Sequence, residues 1–115
     1  MKGGRAVDAV AARARIFKAL GHPVRLALVM RLAAGARCVC ELVPCVPGRQ
    51  ATVSRHLAVL VNAGVLRRWR EGTRMMYVLA VPCLLDALPC IDRALKGKRA
   101  CAPAAGRRRQ VRRGT

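Results

Sequence analysis

Two closely spaced cysteines, Cys38 and Cys40, are the side chains of this sequence best suited to bind a soft ion. Thiolates select soft, thiophilic metals and metalloids. About one helix further along, residues 50–57 read Gln-Ala-Thr-Val-Ser-Arg-His-Leu. Small and polar residues of this kind let a helix approach base edges in the major groove of DNA. A soft-ion site and a DNA reader within twenty residues predict a molecular switch.

The charge of the chain indicates a polyanionic partner. The formal net charge is +18, and residues 93–115 hold nine basic residues and no acidic one. The remaining residues carry 14 basic and five acidic side chains, so their net charge is +9. The globular part is therefore basic without its tail, which favours nucleic acid first and an anionic membrane surface second.

Composition also predicts where the protein works. No uncharged apolar run approaches the roughly 18 residues that a membrane-spanning helix needs, and Asp8, Arg13 and Arg15 interrupt any signal-peptide core. We therefore expect a cytoplasmic protein without a membrane partner. In a reducing compartment, cysteines are expected to be metal ligands, reactive thiols or small buried residues rather than disulfides. The six cysteines of this chain are Cys38, Cys40, Cys45, Cys83, Cys90 and Cys101.

Hydrophobic spacing predicts a mainly helical domain with one small β-hairpin. Pro89 should kink or split the last helix. The Gly, Pro and Arg content predicts a disordered basic tail over 96–115, after a domain that spans 1–95. The predicted helices cover 6–20, 23–34, 39–43, 50–63 and 83–95, and the predicted strands cover 65–70 and 73–79.

A short helix, a tight turn, a second helix and a basic hairpin follow one another in the order of a winged helix-turn-helix. Arginine can bond guanine, and glutamine can bond adenine, through two hydrogen bonds each. Hairpin arginines suit phosphates or the minor groove. His56 is also a candidate. It lies beside the apolar stripe that should face the core, which is formed by Val53, Leu57, Leu60 and Val61, and this position favours a half-buried structural role. The candidate DNA-contact residues are Gln50, Ala51, Thr52, Ser54, Arg55, His56, Arg68, Arg70 and Arg74.

Four segments together resemble the ArsR/SmtB family of metalloregulatory repressors. They are FKALGHPVRL (17–26), CVCEL (38–42), TVSRHL-x-VL-x-x-AG-x-L (52–66) and REG-x-x-x-x-Y (70–77). The resemblance covers roughly residues 15–80. It implies an α-α-α-α-β-β-α homodimer built through the first and last helices. It also implies a palindromic double-stranded operator, from which the repressor dissociates when metal binds.

The CVC element resembles the thiol site of the arsenite-sensing members of this family. The resemblance implies that Cys38 and Cys40 bind trivalent arsenic, or antimony, as the inducer, and that no cofactor is required for DNA binding. Such sensors often have a third cysteine where this chain has Val43, so Cys45 is our candidate third ligand. On a regular helix, residues i and i+2 point about 200° apart. We therefore expect ligation by both cysteines to unwind the start of the short helix.

The sequence is compatible with several alternative functions. Cadmium or lead sensors of the family pair the CVC element with amino-terminal cysteines, which this chain lacks before Cys38. Zinc, nickel and cobalt sensing would need histidines in the last helix, where only Asp86 and Asp92 occur. A thiol-redox or persulfide sensor would form a reversible disulfide. A constitutive architectural DNA binder would show steep salt dependence and no inducer.

An enzyme is not expected. A nucleophilic cysteine would need a nearby histidine as its base. Both histidines, His22 and His56, have a structural or DNA-side explanation.

Overall fold

The computed structural model describes the backbone of residues 2–97 and the side chains of residues 8–97. It divides into two compact units, Met1–Pro82 and Cys83–Thr115. None of the helices within 2–97 has the length and apolarity to cross a membrane. The helices are α1 (Lys2–Leu20), α2 (Pro23–Arg31), α3 (Val39–Leu42), α4 (Gln50–Ala63) and α5 (Leu88–Leu95), and the strands are β1 (Arg37–Cys38), β2 (Leu66–Glu71) and β3 (Arg74–Leu79).

The second helix begins and ends where the sequence indicates. His22 caps α2, because its Nδ1 accepts a hydrogen bond from the backbone N–H of Val24 at 3.1 Å. Pro23 occupies the first helical position, where a missing N–H costs nothing. After Arg31 the chain continues as a 3-10 turn at Leu32–Ala34 and stops at Gly35. The predicted helix over 23–34 is confirmed, although its last turn is a 3-10 turn rather than an α-helical one.

The fourth helix, α4, packs against the core through one apolar stripe. Val53, Leu57 and Leu60 recur at helical spacing and are completely buried. The helix packs against α1, α2 and β2. Gly64 ends it in the left-handed conformation with φ 93°. Its N–H donates to the carbonyl of Val61 at 3.0 Å, and the next N–H donates to the carbonyl of Leu60 at 2.9 Å, which is a Schellman C-cap.

We predict that Gly64→Ala destabilises the domain by about 1–2 kcal/mol, the cost of a left-handed conformation for an L-residue. An added Cβ at Gly64 would meet no atom within 4 Å, so the penalty is conformational rather than steric. Gly21→Ala is the control, because Gly21 does not have a positive φ. Urea unfolding measures both free energies. Equal stability of the two variants would contradict the prediction.

The sheet contains one strand more than the predicted hairpin. Its order is β1-β3-β2, and all neighbours are antiparallel. β2 and β3 pair from Leu66 opposite Leu79 to Glu71 opposite Arg74, so the hairpin is confirmed. β1 is two residues long and sets Cys38 opposite Met76 of β3. The first cysteine of the pair is therefore a strand residue attached to the hairpin.

The apolar residues of α1, the helix that the family resemblance assigns to the dimer interface, are mostly exposed. Val10 is 61% exposed and Phe17 is 69% exposed, whereas Ala19 is buried. Of the three aromatic residues, only Tyr77 is buried in this chain. The apolar spacing along α1 therefore marks a face that the rest of the first unit, where described, leaves exposed.

The second unit, where described, contains most of a 3-10 segment (Pro82–Ala87) and then α5. Pro89 lies in the first turn of α5, so the predicted helix over 83–95 is split, one of the two outcomes expected from that proline. Ile91 and Leu95 are exposed. The predicted disordered tail lies, from residue 98 onward, outside the described residues.

Candidate nucleic-acid interface and thiol site

The amino-terminal half of α4 presents most of the predicted base-contact residues to solvent. Burial of Val53 and Leu57 fixes one face of the helix against the core. The opposite face contains the exposed side chains of Ala51 and Arg55, flanked by exposed Thr52 and half-buried Ser54, and Gln50 is exposed at the first position of the helix. Arg49, at the N-cap position, is also exposed and was not among the predicted residues. The helix amino terminus and this added cation both favour phosphate.

The β2–β3 hairpin, called the wing below, presents a second basic surface. Arg68 and Arg70 alternate along β2 and therefore lie on the same side of it. Arg74 begins β3, and all three arginines are exposed. Trp69 lies between the two β2 arginines and is 39% exposed. The wing thus places guanidinium groups and one indole ring where a DNA backbone can reach them.

His56 connects α4 to α2. The Nε of Arg25 donates a hydrogen bond to its Nδ1 at 3.1 Å. The ring of His22 lies 4.6 Å from its ring, centroid to centroid. Burial lowers the pKa of His56, and the charges of His22, Arg25 and Arg55 lower it further. This geometry gives the half-buried His56 a role in positioning the helix.

The lowered pKa of His56 predicts that the folded state loses stability in acid. In the unfolded chain a histidine titrates near 6.5, so below that pH the unfolded state binds the proton more readily than the folded one. The stabilisation is therefore complete above about pH 6.5 and is lost as the pH falls through the lower folded pKa. We expect the melting temperature to decrease on acidification from about pH 7.5 to about pH 5.5. In His56→Gln this decrease should be smaller; an identical profile would contradict the assignment.

The thiol pair lies at the junction of β1 and α3. Cys38 is the N-cap residue of α3, with an extended backbone (φ −83°, ψ 161°) and 1% exposure. Cys40 is exposed in the first turn of α3. The Cα atoms are 5.3 Å apart, and the two sulfur atoms form a disulfide.

This arrangement corrects two expectations. The expectation that ligation by both cysteines unwinds the helix assumed that both lie within it, whereas the sulfur atoms meet while Val39–Leu42 stays helical. The reason is that Cys38 precedes the helix and is not bound by its 100° step. The expectation of no disulfide was wrong for this pair.

Glu41 connects the thiol site to the wing. Its Oε1 accepts a hydrogen bond from the backbone N–H of Cys38 at 2.9 Å. The same atom lies 3.9 Å from Nη2 of Arg74. Both side chains are about half exposed, so the ion pair contributes little to stability. It does join the N-cap of α3 to a candidate DNA-contact residue, a link that sequence spacing alone did not reveal.

Cys45, the candidate third ligand, is in the 3-10 turn after α3. Its side chain is exposed, and its thiol donates to the carbonyl oxygen of Glu41 at 3.4 Å. Among residues 8–97, no three cysteine, histidine or acidic side chains are grouped closely enough to hold an ion. The ligand set Cys38, Cys40 and Cys45 is therefore not assembled here, and it stays a prediction. In the second unit Cys83 is exposed and Cys90 is half-buried.

Fold and site together define a winged helix-turn-helix protein of the DNA-binding class. Residues 22–68 match the model of the family described as "Bacterial regulatory protein, arsR family". An uncharacterised HTH-type transcriptional regulator of Methanocaldococcus jannaschii, MJ1325, is 35% identical over 80 residues, which are 69% of this chain and 90% of that protein. The chain belongs to the ArsR family of transcriptional regulators.

Other relatives match over a smaller share of their length. The HTH-type transcriptional repressor SmtB of Mycobacterium tuberculosis is 42% identical over 60% of this chain, which spans 51% of that repressor. The arsenic resistance transcriptional regulator ArsR1 of Pseudomonas putida is 38% identical over 64% of this chain and 59% of its own length. These relatives are regulators rather than enzymes, as expected from the sequence.

A solved structure has the same fold. It is the homodimeric winged helix-turn-helix DNA-binding domain of Mb0332 from Mycobacterium bovis, a possible ArsR-family transcriptional regulator. The TM-score is 0.74 at 30% identity, over 81% of this chain and 90% of that one. The predicted winged helix-turn-helix class is confirmed.

Proposed function

We propose that this chain is a homodimeric repressor that binds operator DNA when reduced and releases it when trivalent arsenic or antimony binds cysteine thiolates. The observation that supports this most strongly is the position of Cys38 and Cys40. Their sulfur atoms meet at the N-cap of α3, where Cys38 also pairs with Met76 in β3 of the wing. Such a repressor acts in the cytoplasm, where cellular reductants keep thiols reduced.

DNA binding in this proposal uses two exposed surfaces. The amino-terminal half of α4 enters the major groove, with Arg55 and Gln50 as the side chains that read guanine and adenine. The wing arginines Arg68, Arg70 and Arg74 contact the backbone or the minor groove. A net charge of +18 attracts the protein to DNA before the bases are read.

A homodimer follows from two observations. The related Mb0332 domain is homodimeric, and α1 and α5 each expose apolar side chains that one chain leaves uncovered, among them Phe17 and Leu95. Two recognition helices related by a two-fold axis would read a palindromic site with half-sites about one helical turn apart.

Inducer binding uses the thiols in their reduced form. Soft ions prefer thiolate ligands, and Cys38 and Cys40 already occupy positions from which both sulfur atoms can reach one ion. Cys45 would supply the third sulfur by giving up its hydrogen bond to the carbonyl of Glu41. That movement shifts the 3-10 turn that leads from α3 towards α4.

Coupling to DNA runs through the backbone around Cys38. An ion that recruits Cys45 breaks the hydrogen bond of Cys45 to the Glu41 carbonyl and shifts Glu41, whose carboxylate accepts from the Cys38 N–H. A displaced Glu41 no longer lies beside Arg74. The inducer therefore favours the conformation that binds DNA poorly, and the usual coupling of about 1–3 kcal/mol lowers operator affinity by about 5–150-fold.

The disulfide supports a second candidate function, a thiol-redox sensor of the same fold. Oxidation of Cys38 and Cys40 releases two protons and gives two electrons to an oxidant such as a peroxide or another disulfide. In this alternative the oxidised protein is the form that leaves the operator. The reduced protein is the binding form in both candidates.

Operator binding in parallel redox states tests the proposal and separates the two candidates. The probe is fluorescent DNA from the upstream region of the protein's own gene, beside a scrambled duplex, at fixed salt. We expect the reduced protein to prefer the upstream DNA and to release it with arsenite. Release with diamide alone, and none with arsenite, would establish the redox candidate instead. No preference over scrambled DNA would contradict operator recognition.

A further inference from the structure

A basic cleft runs along α4 on the side that faces α1 and α2. It consists of two adjoining cavities, of about 430 and 410 Å³. Both are lined by Arg25, Val59 and Asn62. One continues to Arg15 and Lys18 of α1, and the other continues to Thr52 and Arg55 of α4. All of these residues belong to the first compact unit.

The charges of the cleft are all of one sign. Arg15, Lys18, Arg25 and Arg55 line it, and no acidic side chain does. Among residues 8–97, none of these four cations forms an ion pair with an acidic side chain. Four uncompensated cations around one concavity repel each other, so an anion that enters relieves that repulsion.

The polar groups of the cleft suit a phosphate. Arginine presents planar, paired donors that match phosphate oxygens, and lysine adds a point charge. Asn62 and Thr52 supply neutral donors beside them. Val59, which is 36% exposed, and the alanines that line the cavities add apolar surface to the cleft. Each cavity falls within the roughly 300–1,000 Å³ typical of small-molecule sites.

We propose that this basic cleft is a phosphate-binding site that adjoins the base-reading face at Thr52 and Arg55 and extends from there to α1. The phosphate comes either from the operator backbone beyond the major-groove contacts or from a small phosphorylated ligand. The cleft extends from Thr52 to Asn62, about 15 Å of helix at 1.5 Å per residue. It therefore continues the DNA-facing surface from the amino-terminal half of α4 towards α1. The operator version rests on the proposed function, whereas the small-ligand version does not.

The first arm of the test measures phosphate contacts with DNA. Each neutralised phosphate contributes about 0.9 to the slope of log K against log salt concentration. We expect Arg15→Gln/Lys18→Gln to lower that slope by about 1.8 for each protomer, or about 3.6 for the proposed dimer, and to weaken binding equally on upstream and scrambled DNA. Arg13→Gln/Arg31→Gln removes the same charge from exposed positions outside the cleft and should change the slope less. Thermal unfolding of both variants controls for folding.

The second arm uses no DNA. Inorganic phosphate and, separately, adenosine triphosphate are titrated into the reduced protein while NMR follows the His56 ring, which lines the cleft. We expect a bound phosphate to raise the pKa of His56, because the anion favours the protonated ring. The shift should saturate with a Kd of about 1 mM or lower and should weaken in Arg15→Gln/Lys18→Gln.

The two arms together decide the proposal. A smaller salt slope in the cleft variant without a saturable NMR shift identifies the DNA backbone as the phosphate source. A saturable NMR shift with an unchanged salt slope identifies a small ligand. An unchanged salt slope together with no saturable shift overturns the cleft proposal, even if the wild type binds its operator. Failure of the wild type to bind the operator contradicts the proposed function, and the NMR arm then still decides whether the cleft binds phosphate.

Discussion

Replacement of Cys40 by serine is expected to abolish the release of operator DNA by arsenite. In the wild type we expect arsenite to lower operator affinity by about 5–150-fold, the range of ordinary coupling energies. In Cys40→Ser the affinity should not respond, because serine offers no soft ligand. Cys40 is exposed, so the substitution should leave the fold and the uninduced affinity unchanged. Cys38, at 1% exposure, is a less suitable target, because a buried hydroxyl would itself destabilise the domain.

Two further variants make this prediction specific. Cys83→Ser removes an exposed thiol from the other compact unit and should leave the response to arsenite intact. Cys45→Ser should weaken arsenite binding if Cys45 supplies the third sulfur. If arsenite fully released operator DNA from the Cys40→Ser variant, the Cys38–Cys40 pair would not be the site that binds the inducer.

The second large effect is expected at Leu57, on the buried side of α4. Leu57 is completely buried, and removal of such a side chain costs about 2–5 kcal/mol in transfer and cavity terms. That loss is a large share of the roughly 5–15 kcal/mol that stabilises a typical domain. Leu57→Ala should therefore lower both stability and operator affinity, because α4 loses its attachment to the core.

Val59→Ala is the matched control on the same helix. Val59 is 36% exposed, so its truncation leaves no closed cavity and should cost much less than Leu57→Ala. Urea unfolding at 25 °C gives both free energies from the transition midpoint and its slope. Equal losses of unfolding free energy in Leu57→Ala and Val59→Ala would contradict the claim that burial of Leu57 anchors the recognition helix.

The elements with strong periodicity could be predicted from the sequence. The stripe of Val53, Leu57 and Leu60, followed by Gly64, specified α4 and its end, and both are observed. The hairpin was predictable because strand-forming residues flank Gly72, which adopts a positive φ of 64° in the turn. In these segments local propensity and tertiary packing favour the same structure.

The thiol site was less predictable, because its geometry depends on pairing between distant segments. A two-residue strand such as β1 has no periodicity to detect, and its partner Met76 lies almost forty residues away. Without β1, Cys38 cannot be recognised as an N-cap, and the meeting of the two sulfur atoms is unexpected. The role of Glu41 was hidden for the same reason, because its ion-pair partner Arg74 lies in β3, close to Met76.

The outward stripe of α1 and the basic cleft show another limit of sequence reasoning. Helical spacing identified the apolar face that includes Val10 and Phe17, but spacing cannot tell a core face from an intermolecular one. The cleft joins Arg15, Arg25 and Asn62 from three helices. In the sequence these residues are isolated polar positions, and only the packing of α1, α2 and α4 brings them together.

The most direct test of the thiol-gated switch is a titration of arsenite into the complex of reduced wild-type protein with its operator. Fluorescence anisotropy reports DNA release, and ultraviolet absorbance of the arsenic–thiolate bond reports binding in the same cuvette. We predict that both signals change together and reach their end point at a single arsenite per protomer. Arsenite bound to the thiols while the DNA stays in place would contradict the account, because ligation at the pair would then not control DNA binding.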